Sequence, residues 1–186
     1  MYQDFLSMNL ASRGTFKPQC LWFTGLSASG KSTIAELLVN RLKHNNVYAY
    51  VIDGDLLRQG ISRDLGFADS DRIENMRRAA EVARMMVDAG LIVIVALISP
   101  FKSERLQARQ RFAEGEFAEV YINTPIDICI SRDPKGLYAR ALRGDIPQFT
   151  GLDSVYEAPE APDLTISGTG RHPQDCVEDL MSFLQR

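Results

Sequence analysis

Residues Gly25-Leu26-Ser27-Ala28-Ser29-Gly30-Lys31-Ser32 match G-x-x-x-x-G-K-[ST] without a gap, directly after the apolar run Leu21-Trp22-Phe23-Thr24 and directly before a segment of helical period. A strand, a glycine-bearing loop and a helix in this order constrain the chain more than any other feature. The loop turns its backbone N–H groups inward, and the new helix adds its positive dipole end. Together they form a phosphate-binding loop, or P-loop. In it Lys31 reaches the outer phosphates, and the Ser32 hydroxyl suits Mg2+, a cation that prefers oxygen ligands. A turn with a chance lysine is the plainer alternative, and the flanking strand and helix argue against it.

Apolar segments at about 21–24, 47–52, 91–98, 118–122 and 164–166 read as strands and alternate with helical stretches. That alternation predicts an α/β fold, a parallel five-stranded sheet flanked by helices. Ile34, Leu37, Leu38 and Leu42 share one helical face, as do Met76, Ala79, Ala80, Ala83 and Val87. Val177, Leu180, Met181 and Leu184 give a last helix, opened by Pro173 at a favourable first-turn position. These stripes read as core packing. Between about 133 and 160 the periodicity weakens, and Gly136, Gly144, Gly151, Pro147, Pro159 and Pro162 punctuate the chain. A long polar excursion in a compact domain is commonly functional, so residues 133–153 are expected to form a lid. The 186 residues suit one domain, expected over 20–186. Residues 1–19, which lack an apolar signal core, are expected to be an amino-terminal arm.

The formal net charge of −3 argues against a broad cationic surface for nucleic acid, whose binding depends on phosphate neutralisation. A small anionic ligand needs only a local basic pocket. The longest apolar stretch, Leu91 to Ile98, is far short of a membrane span, so no membrane partner is expected. Cys20, Cys129 and Cys176 are odd in number, widely spaced and set in apolar runs, which predicts buried free thiols in a reducing cytoplasm.

A P-loop alone does not separate kinases from ATPases, GTPases or regulatory switches. Asp53-Gly54-Asp55 closes the second strand and so places both carboxylates at the carboxyl end of the sheet, where α/β folds bind ligands. Asp55 is a candidate to orient or deprotonate an attacking hydroxyl, or to hold Mg2+ through water. A plain turn is the alternative. Arg58, Arg63, Arg72, Arg77 and Arg78 follow in a chain that is acidic overall, and guanidinium forks suit phosphate and sulfate oxygens. Asp64, Asp69, Asp71 and Glu74 are interleaved, however, and Arg77 and Arg78 fit a solvated mixed-charge helix face equally well.

Asp53-Gly54-Asp55 with Arg58 and Gly60, Arg63 to Phe67, and Asp71-Arg72 with Asn75, Arg77 and Arg78 stand in one register. Ile98-Ser99-Pro100-Phe101, Arg132 to Tyr138, and Phe149 to Pro159 follow in order. Together, over about residues 21–162, these segments resemble the adenylyl-sulfate kinases, P-loop kinases that use ATP to phosphorylate the 3′-hydroxyl of adenosine 5′-phosphosulfate (APS).

The resemblance implies that Gly25, Leu26, Ser27, Ala28, Ser29, Gly30, Lys31, Ser32 and Thr33 bind ATP together with Arg132, and that Ser32 and Asp55 hold Mg2+. It implies that Arg58, Arg72 and Asn75 hold the phosphosulfate end of APS, with backbone help around Ile98 and Ser99 and with Asp53 among the substrate-binding positions. Phe67 and Phe149 would sandwich the APS adenine, and Lys135 in the lid would meet phosphate on closure. Lys31, Asp55 and Ser99 are the implied catalytic positions. Ser99 falls where the family is able to carry a phosphoryl group, although a Ser-Pro at a strand end equally suits a helix N-cap; direct transfer from ATP is the favoured reading. The family also implies a homodimer and association with ATP sulfurylase.

Two positions depart from the family pattern. Leu56 replaces the usual asparagine after Asp-Gly-Asp, and Ala28 replaces a P-loop glycine, which is tolerable with φ below zero. Two rival readings remain: a kinase for another small acceptor such as a nucleoside monophosphate or a sugar acid, and a catalytically silent nucleotide-binding regulatory domain. Intact Lys31, Ser32 and Asp55 argue against the second.

Overall fold

A computed structural model describes residues 16–186; most of the expected amino-terminal arm, residues 1–15, lies outside the described residues. The strands are β1 (Gln19–Thr24), β2 (Ala49–Asp53), β3 (Ile92–Ala96), β4 (Phe117–Asn123) and β5 (Leu164–Ser167). They pair in the order β2-β3-β1-β4-β5, every pair parallel. The helices are α1 (Lys31–His44), α2 (Gly54–Gln59), α3 (Asp69–Asp88), α4 (Lys102–Arg109), α5 (Ile126–Arg132), α6 (Leu137–Leu142) and α7 (Pro173–Leu184).

Side chains alternate across a strand, so β1 builds two cores. Leu21 and Phe23 pack with Ile34, Leu38 and Leu42 of α1 and with Val177, Leu180 and Leu184 of α7. Cys20 and Trp22 face the other way, toward Met76, Ala79, Ala80 and Ala83 of α3 and Ala108 of α4. Helices on both faces leave the central strands no wet side, which is why β1 and β3 are apolar at almost every residue. Leu37, expected on the core face of α1, is only half-buried. Pro173 opens α7 as expected, and His172 with Asp175 forms a reciprocal cap there. Cys20, Cys129 and Cys176 are buried free thiols.

The topology also fixes where a ligand fits. β1 leads into α1 on one face, whereas its neighbour β3 leads into α4 on the opposite face. Chains leaving adjacent parallel strands toward opposite sides open a crevice at their carboxyl ends, and the P-loop lies in it.

The segment 133–153 is more ordered than its broken periodicity suggests. The Asp133 carboxylate accepts the N–H groups of Tyr138 and Ala139 and so starts α6. Cys129, Tyr138 and Phe149 form a small separate core against Leu26 and Ala28 of the P-loop, and the Tyr138 hydroxyl donates to the Ser27 carbonyl over 3.2 Å. A lid was expected there because the apolar period fails; the reason it fails is that these residues pack on a loop rather than on the sheet. Among the described residues no helix is long and apolar enough to cross a membrane.

Candidate active site

The P-loop is held open by its two ends. At the end of β1, Thr24 donates its hydroxyl to the Ile98 carbonyl at 2.8 Å, and it lies 3.0 Å from the Tyr156 hydroxyl. At Gly25 a β-carbon would stand 2.7 Å from the Ile122 carbonyl oxygen of β4 and 2.9 Å from Ser29 Oγ, so the close approach of loop to sheet requires glycine. Ala28 differs from expectation: its φ is +59°, in the left-handed region, not below zero. Its methyl therefore carries local strain, which the contacts of the small core around Tyr138 and Phe149 offset.

Lys31, the first residue of α1, is buried and folds back over the loop. Its ammonium donates to the carbonyls of Gly25 (2.9 Å) and Leu26 (2.6 Å), and Ser29 Oγ lies 3.3 Å away. Burial pulls its pKa down to about 8. Beside it the Ser32 hydroxyl donates to Asp53 Oδ2 at 2.8 Å. Asp53 also caps α2, its other oxygen accepting the Asp55 N–H at 2.9 Å. The carboxylate adjoining Ser32 is therefore that of Asp53. Asp55, in the first turn of α2, is exposed and ion-paired with Lys135 from the lid. Thr33 is exposed on α1, and Arg132 donates to the Gly168 carbonyl at 2.6 Å.

One cavity of about 1360 Å3 joins the P-loop to Asp53, Asp55, Arg132 and Lys135, and continues to Arg58, Phe67, Arg72, Asn75, Ile98, Ser99 and Phe149. That exceeds the upper end of roughly 300–1000 Å3 usual for one small ligand. In its second half Arg58 lies over the Phe67 ring, 4.5 Å from its centre, and donates to the Leu65 carbonyl at 3.2 Å. Arg72 donates to the carbonyls of Phe67 (3.0 Å) and Gln148 (3.2 Å), tying α3 to the lid. Asn75 is buried and its side-chain oxygen has no partner among the described residues. Phe149 meets Tyr138 edge-on at 4.9 Å, while Phe67 is 58% exposed. Arg77 and Arg78 serve structure: both bind Glu74, and Arg78 also binds Asp64.

Ser99 is buried at φ +42°. Its hydroxyl accepts the indole N–H of Trp22 at 3.1 Å. It does not cap α4, whose N-cap is Phe101; the Glu157 carboxylate accepts the Lys102 N–H there instead. Sequence reading missed Arg105, which is only 3% exposed. Arg105 and Ala108 are the buried residues of α4, three apart, and a lone arginine on the inward face of a short amphipathic helix was the available signal.

The chain matches the family model for adenylylsulphate kinase over residues 17–167. It is 55% identical over 168 residues to the bifunctional enzyme NodQ of Rhizobium sp. (strain N33), a match covering 90% of this chain but only 26% of that protein. With the adenylyl-sulfate kinase of Marinobacter nauticus it shares 49% over 169 residues, 91% of this chain and 85% of that one. The Mycobacterium tuberculosis APS kinase CysC, solved in complex with AMPPNP and APS, superposes with a TM-score of 0.88 at 43% identity, covering 91% of this chain and 99% of that one.

Proposed function

This chain belongs to the adenylylsulphate kinase family, and from that membership we propose that it transfers the γ-phosphoryl group of ATP to the 3′-hydroxyl of APS, giving the 3′-phosphorylated product PAPS and ADP. The observation that carries the proposal is the single cavity running from a P-loop to a wall of arginine and aromatic side chains, with Asp55 and Lys135 between them. A donor and an acceptor fit in it end to end, which in-line transfer needs.

The triphosphate lies along the P-loop N–H groups, and Lys31 exchanges the carbonyls of Gly25 and Leu26 for phosphate oxygens. The residues present fit Mg2+: Ser32 and Asp53 offer two oxygen donors 2.8 Å apart beside the loop and would hold the cation, and Asp55, two residues on, would add a further carboxylate to the site. Mg2+ bound there supplies charge neutralisation on the outer phosphates. On the acceptor side Arg58 and Arg72 face the phosphosulfate, and the unpartnered oxygen of Asn75 calls for a donor from the ligand or a water. Lys135 leaves Asp55 for phosphate as the lid closes, and closure excludes water as a competing acceptor.

Phe149 supplies a stacking face for the APS adenine. Phe149→Ala should weaken APS binding by about 1–3 kcal/mol while leaving ATP binding without APS unchanged. Calorimetric titration with each nucleotide checks this, and equal loss for both would make Phe149 a lid-core residue only. Ser99 acts by position: its hydroxyl is engaged by Trp22, and among the described residues no lysine or histidine is bonded to it. Transfer should therefore invert the configuration of a chiral γ-phosphate, whereas net retention would establish a phosphoserine intermediate.

The decisive experiment is incubation with ATP, Mg2+ and APS, run beside nucleoside monophosphates and sugar acids as acceptors. PAPS formed faster than every other product supports the proposal. Nucleotide binding without transfer would support a silent regulatory domain. The proposal extends to a cytoplasmic homodimer associating with an ATP sulfurylase. One structural neighbour, the hexameric APS kinase of Thiobacillus denitrificans at 28% identity and TM-score 0.69, is an assembly of chains of which this one covers only 31%; sedimentation of the purified chain measures self-association here.

A further inference from the structure

Arg105 uses its whole guanidinium fork inside the protein. Nε donates to Glu119 Oε1 of β4 at 2.5 Å, Nη1 to the Ser99 carbonyl at 2.7 Å, and Nη2 to the Glu157 carbonyl at 2.8 Å. The arginine side chain is 3% exposed and that of Glu119 15%. A buried ion pair adds little net stability over apolar residues of the same volume, so stability alone does not account for this placement. What the fork reaches is the turn after β3, where Ser99 holds a left-handed φ of +42° that serine rarely adopts.

The rest of that turn is pinned from the other side. The Ile98 carbonyl accepts from Thr24 Oγ1 at 2.8 Å and from the Gly25 N–H at 3.4 Å, so it points toward β1; the Thr24 hydroxyl also lies 3.2 Å from the Ser99 carbonyl, which Arg105 holds at the shorter distance of 2.7 Å. The peptide plane is trans, so the Ser99 N–H points the opposite way. That N–H donates to no acceptor among the described residues, and Ile98, Ser99 and Pro100 line the acceptor half of the cavity. Pro100 has no N–H, so Ser99 supplies the last backbone donor of the turn.

We propose that Arg105, locked by Glu119, is a positioning residue: it clamps the Ser99 carbonyl and so keeps Ser99 in the left-handed turn that, with the Ile98 carbonyl pinned from β1, leaves the Ser99 N–H facing an anionic oxygen of the acceptor. The inference rests on the APS reading of that half of the cavity. It makes α4 and β4, neither of which need touch the acceptor, part of the device that sets acceptor affinity.

Trp22, the only tryptophan, is fully buried and donates its indole N–H to Ser99 Oγ, so its emission reports the turn directly. Arg105→Lys keeps the charge and loses the fork. In protein shown to be folded by its thermal transition, this variant should shift Trp22 emission without ligand, raise the Kd and KM for APS about tenfold, and leave the Kd for ATP within about twofold. Glu119→Gln, which keeps the side-chain shape but removes the charge that locks the arginine, should move the same readings in the same direction by less, and decides the matter if Arg105→Lys does not fold. Unchanged emission and APS affinity, or equal losses for APS and ATP, would overturn the proposal. Wild-type protein that binds ATP but neither binds nor phosphorylates APS would overturn the acceptor reading instead, and ligand-free emission of Arg105→Lys would then still decide whether Arg105 sets the turn.

Discussion

Replacing Lys31 with alanine should lower kcat by about two to three orders of magnitude and raise the KM for ATP far less, because the ammonium meets the transferring phosphoryl group most strongly where charge spreads over its oxygens. The structure adds a reason for the asymmetry. In the protein itself Lys31 already donates to the carbonyls of Gly25 and Leu26, so ATP binding exchanges one set of acceptors for another and gains little. The group also gives binding a pH signature. Burial lowers its pKa to about 8, and phosphate charge raises it again, so ATP binding near pH 8 should take up about half a proton and weaken as pH rises further. Below about pH 7 the lysine is already protonated and no uptake is expected. Titration calorimetry in buffers of different ionisation enthalpy measures this. Near-normal turnover in Lys31→Ala would remove the P-loop from the chemistry.

Asp55→Asn should reduce kcat by about 10²-fold, the low end for a positioned general base, because transfer through a loose transition state asks for orientation of the hydroxyl more than for its ionisation. ATP affinity should hold, since the Ser32 hydroxyl is met by Asp53 and not by Asp55. The pairing with Lys135 offers a competing account, in which Asp55 merely latches the lid. The two accounts separate in a double-mutant cycle with Lys135→Ala. A latch gives equal single losses and no further loss in the double variant, whereas a catalytic Asp55 gives a larger loss than Lys135 and a further loss when both are changed.

Much of the fold was legible because it rests on short-range rules. The apolar runs of β1 and β3 are those of strands buried on both faces, and the stripes of α1, α3 and α7 follow from a period of 3.6 residues. The helix α6 was not legible, because its side chains pack on the P-loop and on one another and so follow no single sheet face. Leu56, the departure next to Asp55, is 48% exposed, and nothing in the structure explains it.

By itself the sequence determined the P-loop, the five strands alternating with helical stretches that include α1, α3 and α7, and the family whose residues recur at 53–78 and 132–159, since each depends on residues close together in the chain. Only the tertiary structure decided which carboxylate stands beside Ser32, that Ala28 is held at positive φ, that Lys135 reaches Asp55, and that Arg105 donates to the Ser99 carbonyl. The physical reason is range. Arg105 lies 14 residues from Glu119 and 52 from Glu157, and Trp22 lies 77 from Ser99. Such hydrogen bonds have a direction and a length of about 3 Å, and they exist only once packed elements fix both ends.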